Sequence, residues 1–405
     1  MFLLVGASVR ALMESAVESG YGVAGIDFFG DVDALWQGNT ICLKDLGKKL
    51  TVKDLLEVAR IMPCDGLVYA SGPENTPEEL CYWENKGLLR GNGTSVLKNV
   101  RNPWKLRQCL EEINVKMPRF CSVEEWGKRA ISGKWLLKSL KRGGGHGIIE
   151  LPEKKNDVEE LFLGLNDFNQ YIIQEYIEGI LGSVTFLANG QESVVLGTSR
   201  QLVGKGGGVR SFLYQGNIVP LDIKGILGLN YFEKKITEMV KHLTSTFGLK
   251  GINTVDFILN SEGIWVLEVN PRWSASVELI EKYLGKRFFK YHLKGCMEEK
   301  LPDVFPVKFS LDTESEDCYP KLENNSVWKF LGKTIVYSEN TFLVKGKKEE
   351  EFHYLYGQGV RDIPQVGTII EKGQPICTVI AKGSGDQDCL LRLQEKAQLV
   401  NQFFG

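Results

Sequence analysis

The sequence predicts a multidomain protein of mixed α/β and α+β class. Strands alternate with helices over residues 1–95, which is typical of a parallel sheet. Later segments join apolar runs through glycine-containing turns, which is typical of β-hairpins. Residues 302–405 carry further short strands before a closing helix over 390–404. A chain of 405 residues has room for roughly two to four such modules.

Composition is that of an ordinary globular protein and argues against several classes of function. Hydrophobic residues make up 43% and charged residues 25%, and the formal net charge is −2. A protein that coats nucleic acid is therefore not expected. No apolar run reaches the roughly 18 residues of a membrane span. The nine cysteines occur singly and without a CxxC pair, which favours reduced thiols and a cytoplasmic location.

Polar residues follow the predicted strands of the first unit. The carboxyl ends of parallel strands meet at one edge of a sheet, where ligands bind. Gly6, Asp27 and the loop 71–75, which contains Glu74, all fall at this edge. For Asp27 and Glu74, a role toward a ligand and a role as a solvated or helix-capping acid both remain open.

A lysine precedes a glycine-rich loop in the middle of the chain. Lys138 ends a short strand, and Gly143, Gly144 and Gly145 follow before a second strand over 147–151. Glycine-rich backbone can approach a phosphate closely and offer N–H groups to it. The loop does not match the GxxxxGK[ST] pattern of a P-loop, so we expect a hairpin flap.

The segment from Asp256 to Arg272 carries the strongest chemical pattern. Two apolar runs flank a turn at 260–263, which predicts a β-hairpin. Glu268 and Asn270 are two apart and share one face, and hairpin pairing can bring Asp256 beside them. Two carboxylates and an amide oxygen suit Mg²⁺ that carries the phosphates of a nucleotide. The alternative is a surface hairpin with polar ends.

The order of these motifs resembles the ATP-grasp superfamily over about residues 1–300. The motifs include a helix opened by Asn102 and Pro103, the lysine and glycine flap, YIIQEYIEG at 171–179 and EVNPR at 268–272. Within the superfamily, the chain resembles the archaeal and methylotroph group described as predicted ATP-dependent carboligases related to biotin carboxylase. The resemblance implies a pre-ATP-grasp α/β domain (1–95), a lid subdomain (96–174), the ATP-grasp core (175–301) and a C-terminal β-rich, barrel-like domain (302–405).

The resemblance also implies roles for individual residues. ATP would be bound by Lys105, Lys138, Gly143, Gly144, Gly145, Gln174, Glu175, Ile177 and Glu178. Mg²⁺, for which Mn²⁺ can substitute, would be held by Asp256, Glu268 and Asn270. Lys138 and Arg272 would act on the transferring phosphoryl group. Many members have a lysine at the position of Pro103, and here Lys105 or Arg101 would replace it.

The implied reaction is an ADP-forming carboxylate–amine ligation. A substrate carboxylate attacks the γ-phosphorus of ATP, and an amine then displaces phosphate from the acyl phosphate to form a C–N bond. One alternative is a carboxylase that acts through carboxyphosphate, as biotin carboxylase does, and another is a non-catalytic regulatory protein that binds ATP. The subgroup's association with one-carbon metabolism suggests cofactor biosynthesis.

Four further polar residues are expected on the substrate side, namely Glu74, Arg200, Lys205 and Arg210. Lys205 and Arg210 flank a second glycine loop and could hold an anionic carboxylate, or could be solvated loop charges. The expected partners are a small-molecule carboxylate and an amine, with no nucleic acid and no membrane. A homodimer is common among such enzymes.

Overall fold

The structure is a computed structural model, and it describes residues 1–126, 133–204, 212–298, 301–302, 328–346 and 348–404. Within these ranges no helix has the length and apolar character needed to cross a bilayer. The predicted basic loop with Lys205 and Arg210 lies outside the described residues.

A parallel sheet of four strands forms the N-terminal section. Its strands are β1 (Phe2–Val5), β2 (Val23–Asp27), β3 (Asn39–Cys42) and β4 (Gly66–Tyr69). The helices of this part are α1 (Arg10–Glu18), α2 (Val32–Leu35), α3 (Val52–Arg60), α4 (Cys81–Asn85), α5 (Thr94–Val100) and α6 (Pro103–Glu111). The strand order is β3-β2-β1-β4. The buried, continuous apolar strands suit a parallel sheet covered on both faces, and the predicted α/β unit is confirmed.

A small antiparallel sheet follows. Its strands are β5 (Phe120–Ser122), β6 (Trp135–Ser139), β7 (Ile148–Glu150) and β8 (Tyr171–Glu175), in the order β5-β8-β6-β7. Its helices are α7 (Val123–Trp126) and α8 (Lys155–Leu163). Lys138 pairs with Ile148, so the glycine loop connects the two strands of a β-hairpin, as predicted.

The largest sheet has eight strands and runs through the rest of the described chain. Its members are β9 (Ile180–Asn189), β10 (Ser193–Val203), β11 (Tyr214–Val219), β12 (Lys250–Asn260), β13 (Gly263–Asn270), β14 (Phe330–Tyr337), β16 (Val360–Arg361) and β18 (Pro375–Gly383). A separate short pair is formed by β15 (Phe342–Leu343) and β17 (Ile369–Ile370). The helices are α9 (Leu229–Phe247), α10 (Ser276–Leu284), α11 (Phe289–Cys296), α12 (Glu349–Gly357) and α13 (Asp386–Phe404). The strand order is β13-β12-β9-β10-β11-β14-β18-β16.

The described C-terminal strands continue the core sheet, and the barrel-like domain expected at 302–405 stays a prediction. β14 pairs with β11 from Gly216↔Thr334 to Val219↔Leu331, and β18 and β16 follow. Without β14, strand β11 would present an unpaired row of N–H and C=O groups. Strand β14 pairs with β11 and satisfies those groups. The sheet therefore continues past residue 302, where the domain boundary was expected.

Helix α9 supplies much of the core beneath this sheet. Its buried face contains Phe232, Ile236, Met239, Val240 and Leu243, which pack in one cluster with side chains of β9, β12 and α6. The burial of each such side chain contributes about 1.5–3 kcal/mol relative to exposure. This packing holds the hairpin β12–β13 in place from below.

Buried ion pairs join three sections of the chain at α10. The Arg10 guanidinium donates to both carboxylate oxygens of Glu278, at 2.8 and 2.9 Å, and Lys333 contacts the same carboxylate at 3.2 Å. Burial would raise the pKa of Glu278, but these cations hold it well below its ordinary value. A buried charge is tolerated when it is paired in this way. The contacts orient α10, whose first turn faces the candidate site.

Candidate active site

The predicted β-hairpin exists and has the expected register. Asp256 lies opposite Glu268, and Thr254 lies opposite Asn270, with a bulge after Asp256. The Asn270 Nδ2 atom donates to Asp256 Oδ2 at 2.8 Å. The three proposed metal ligands line one cavity together with Lys138 and Arg272. The local pattern therefore placed these side chains correctly on one face.

The pKa values of the two carboxylates of this cavity are shifted in opposite directions. Burial, and then the charge of Glu268, raises the pKa of Asp256 to about 7. Burial would also raise the pKa of Glu268, but the Lys138 ammonium, 2.7 Å from Glu268 Oε2, holds it below its ordinary value. A divalent cation would relieve the repulsion between the two acids, so the residues fit Mg²⁺. No cluster of three His, Cys, Asp or Glu side chains suited to a metal occurs in the described ranges, so Asn270 would supply the third protein oxygen.

Arg272 is held by Glu74. The Arg272 Nε atom donates to Glu74 Oε1 at 2.8 Å, and Arg272 Nη2 donates to Asn270 Oδ1 at 3.2 Å. The other carboxylate oxygen of Glu74 accepts the Gly72 N–H at 2.6 Å, and Glu74 is only 2% exposed. Burial would lower the pKa of Arg272, but the carboxylates of Glu74, Asp256 and Glu268 together raise it above its ordinary value. Glu74, which was predicted on the substrate side, thus orients Arg272.

The glycine flap closes onto the start of β11. The Tyr214 N–H donates to the Gly144 carbonyl at 3.0 Å. Gly145 has φ +79°, and a Cβ at this position would lie 1.8 Å from the Phe212 carbonyl oxygen. At Gly143 a Cβ would meet nothing within 4 Å. Gly145 is therefore the position where the flap requires glycine, both for its backbone angle and for space.

A smaller cavity continues from the main one past Lys138 and Glu268. Its walls combine apolar and polar side chains. The residues found in this cavity alone are Val100, Arg101, Pro103, Leu106, Leu140, Ile172, Gln174 and Val269. Arg101 lines it and contributes to the lowered pKa of Glu268. Lys105 does not line it, and its exposed side chain donates from the ammonium to Asn99 Oδ1 at 2.7 Å.

The predicted adenine and ribose residues are only partly brought to these cavities. Gln174 lines the smaller cavity and is buried. The Glu175 carboxylate instead forms a bidentate pair with Arg119, at 2.7 and 2.9 Å, and its N–H donates to the Arg119 carbonyl. Ile177 and Glu178 line neither of the two described cavities. Their nucleotide roles stay predictions.

Of the two predicted substrate residues that the structure describes, Glu74 contacts Arg272 and Arg200 does not. The Arg200 guanidinium contacts Asp386 on α13 and does not line the main cavity, and Lys205 and Arg210 lie outside the described residues. Sequence reasoning missed Gln201, whose Nε2 donates to Asp256 Oδ1 at 2.6 Å. No sequence signal marks Gln201, because β10 and β12 are neighbours only through β9.

Comparison with known proteins assigns the fold. A family profile described as an ATP-grasp domain matches residues 100–276. An uncharacterized protein of Methanocaldococcus jannaschii is 22% identical over 392 residues, which cover 94% of this chain and 88% of that protein. The carbamoyl phosphate synthase large chain of Pseudomonas aeruginosa is 22% identical over 280 residues, which cover 64% of this chain but only 25% of that protein.

Solved structures agree over nearly the whole chain. An L-amino acid ligase from Bacillus licheniformis matches with a TM-score of 0.66 at 15% identity, covering 98% of this chain and 96% of that one. The biotin carboxylase domain of the Hydrogenobacter thermophilus 2-oxoglutarate carboxylase, solved as a dimer with MgADP and bicarbonate, matches with a TM-score of 0.68 at 14% identity, covering 98% and 89%. At identities this low, the structural similarity establishes the fold and no more. The chain therefore has the ATP-grasp fold and carries an ATP-grasp domain at residues 100–276, as its motifs predicted.

Proposed function

We propose that this protein is an ADP-forming carboxylate–amine ligase that uses ATP and Mg²⁺ and acts through an acyl phosphate. The observation that carries the proposal is the main cavity, where Asp256, Glu268 and Asn270 lie with Lys138 and Arg272 under a glycine flap. A phosphoryl transfer requires mainly positioning and charge neutralisation, and this cavity offers both.

Each side chain has a defined task in that reaction. Asp256, Glu268 and Asn270 would hold Mg²⁺, which when bound neutralises charge on the ATP phosphates. Lys138, only 14% exposed, brings its ammonium to the same face. Arg272, held by Glu74, would stabilise the negative charge of the transferring phosphoryl group. The flap at 143–145 excludes water, which would otherwise hydrolyse the acyl phosphate.

No carboxylate among the described residues of the main cavity is left over to act as the general base for carboxylation of biotin, although His146 also lines this cavity. Removal of a proton from a weakly acidic N–H requires a general base within hydrogen-bond reach. The carboxylates among the described residues of the main cavity are Asp256 and Glu268, and both are assigned to the metal. Glu278, the next acid along the chain, is bound by Arg10 and Lys333.

The test is ADP and phosphate release from Mg-ATP with a panel of carboxylic acids, each with and without ammonium, glutamate and other amines. L-Amino acids belong in the panel because the Bacillus licheniformis neighbour is an L-amino acid ligase. We expect release that requires an acid and increases with an amine. Release with bicarbonate and free biotin alone would favour the carboxylase, and no turnover beside tight Mg-ATP binding would favour the non-catalytic protein.

The assembly and location remain part of the proposal. The biotin carboxylase neighbour was solved as a dimer, and we propose a homodimer here, to be tested by sedimentation equilibrium. The eight described cysteines are all free thiols, which supports the proposed cytoplasmic location.

A further inference from the structure

Four hydroxyl groups form a closed ring at the floor of the main cavity. Thr254 and Ser274 are 2.7 Å apart, Ser274 and Ser276 2.9 Å, Ser276 and Thr185 3.1 Å, and Thr185 and Thr254 3.2 Å, each measured between side-chain oxygens. All four residues are at most 9% exposed. Thr254, Ser274 and Ser276 line the cavity, beside Arg272, and Thr185 closes the ring behind them.

The ring has no hydrogen left to donate. A hydroxyl carries one hydrogen and two acceptor lone pairs. Four hydrogen bonds among four hydroxyls use all four hydrogens, whichever way round the ring they run. One lone pair per oxygen remains, so toward the cavity the ring can only accept hydrogen bonds.

A pair of serine hydroxyls in the same cavity differs from the ring because it can still donate a hydrogen bond. The oxygens of Ser183 and Ser199 are 2.7 Å apart, and Asn217 Nδ2 donates to Ser199 at 2.9 Å. One hydrogen bond joins the two serine hydroxyls, so one of their two hydroxyl hydrogens remains available to donate. Ser183 lines the cavity and is the register partner of Asp256 on the neighbouring strand. This side of the cavity can donate to a carboxylate, whereas the hydroxyl ring cannot.

The acceptor character of the ring favours an N–H donor, and the nearest positive groups disfavour a charged one. Carboxylate oxygens bring only lone pairs, so they gain nothing from a ring that only accepts. Arg272 and the N-terminus of the nine-residue helix α10 are both positive and disfavour an ammonium ion. A neutral amine brings N–H donors to the ring and keeps its lone pair for attack.

We propose that the ring of Thr185, Thr254, Ser274 and Ser276 binds the amine nucleophile. This inference rests on the proposed ligase function. The nitrogen lone pair forms the C–N bond, the acyl C–O bond breaks with its electron pair moving to phosphate, and the proton released from nitrogen passes to that phosphate. The ring holds the amine by its N–H groups, with the lone pair directed into the cavity.

The kinetic test compares Ser276→Ala with the matched variant Ser183→Ala. With the acid identified by the panel and methoxyamine as a neutral amine, we expect Ser276→Ala to raise the KM for methoxyamine about tenfold, the equivalent of one neutral hydrogen bond of about 1.4 kcal/mol. Its KM for the acid and for ATP should stay within about twofold. Ser183→Ala should raise the KM for the acid instead. A rise in the acid KM with Ser276→Ala, or no change in either KM, would overturn the proposal.

A binding measurement separates this inference from the ligase function. Saturation-transfer NMR would follow the methyl signals of methoxyamine and of acetate on the full chain with Mg²⁺ and a non-hydrolysable ATP analogue. We expect methoxyamine contact in the wild type and its loss in Ser276→Ala, with acetate contact kept. No methoxyamine contact in the wild type overturns the amine site even if the ligase turns over. Contact without turnover on any acid keeps the amine site and overturns the ligase.

Discussion

The Glu74–Arg272 pair offers the sharpest test of how the cavity is organised. In Glu74→Gln the side chain keeps its size but loses its charge. The amide has one oxygen, whereas the carboxylate accepts from both Arg272 Nε at 2.8 Å and the Gly72 N–H at 2.6 Å. One of the two N–H groups must therefore face the amide NH₂ group or lose its partner. The change affects the position of Arg272 without removing Arg272 itself.

The expected magnitude follows from the burial of the pair. A hydrogen bond to a charged group contributes about 1.5–3 kcal/mol, and Glu74 is only 2% exposed, so solvent screens little of it. We expect Glu74→Gln to lower the free energy of unfolding by about 2 kcal/mol. A displacement of Arg272 by about 1 Å would lower kcat roughly 10- to 100-fold, since catalysis depends on its position. The KM for ATP should change much less.

The assays are urea denaturation and acid-dependent ADP release. Glu78→Gln is a matched control, because that carboxylate is 63% exposed and pairs with Lys98 at the surface, so little should change. The double variant Glu74→Gln/Arg272→Lys should lower the free energy of unfolding by less than the sum of the two single variants, because each single variant already removes the same contact. Wild-type stability and kcat in Glu74→Gln would refute the positioning role.

Three further predictions test separate features. Gly145→Ala should raise the KM for ATP at least about tenfold because its Cβ has no space, whereas Gly143→Ala should not, and equal effects in steady-state kinetics would contradict the flap geometry. Arg101→Met should raise the KM for ATP while Lys105→Met leaves it unchanged, and the reverse order would restore Lys105 as the phosphate contact. Asp31→Asn should raise the melting temperature at pH 8. Burial, and then neighbouring carboxylates, raise the pKa of Asp31 in the folded protein. Asp31 therefore stabilises the fold at low pH, and this stabilisation is lost as the pH rises through the raised pKa. The gain should shrink toward pH 4, and a gain independent of pH would contradict this cause.

The sequence alone determined the features that depend on local order. The turn at 260–263 and the alternation of β13 were enough to place Asp256, Glu268 and Asn270 together, because hairpin pairing is a short-range event. Lys138 before the glycine flap followed from the same kind of local pattern. The order of these motifs then predicted the ATP-grasp fold that the comparisons confirm.

Only the tertiary structure decided the contacts between distant segments. Glu74 and Arg272 are 198 residues apart, and the hydroxyl ring joins β9, β12 and the start of α10. Periodicity indicates which face of a strand is buried but not which strand lies beside it, so neither contact has a sequence signal. The same reason explains why Arg101, and not Lys105, lines the smaller cavity, and why β14 extends the core sheet: packing over long sequence separations made both choices.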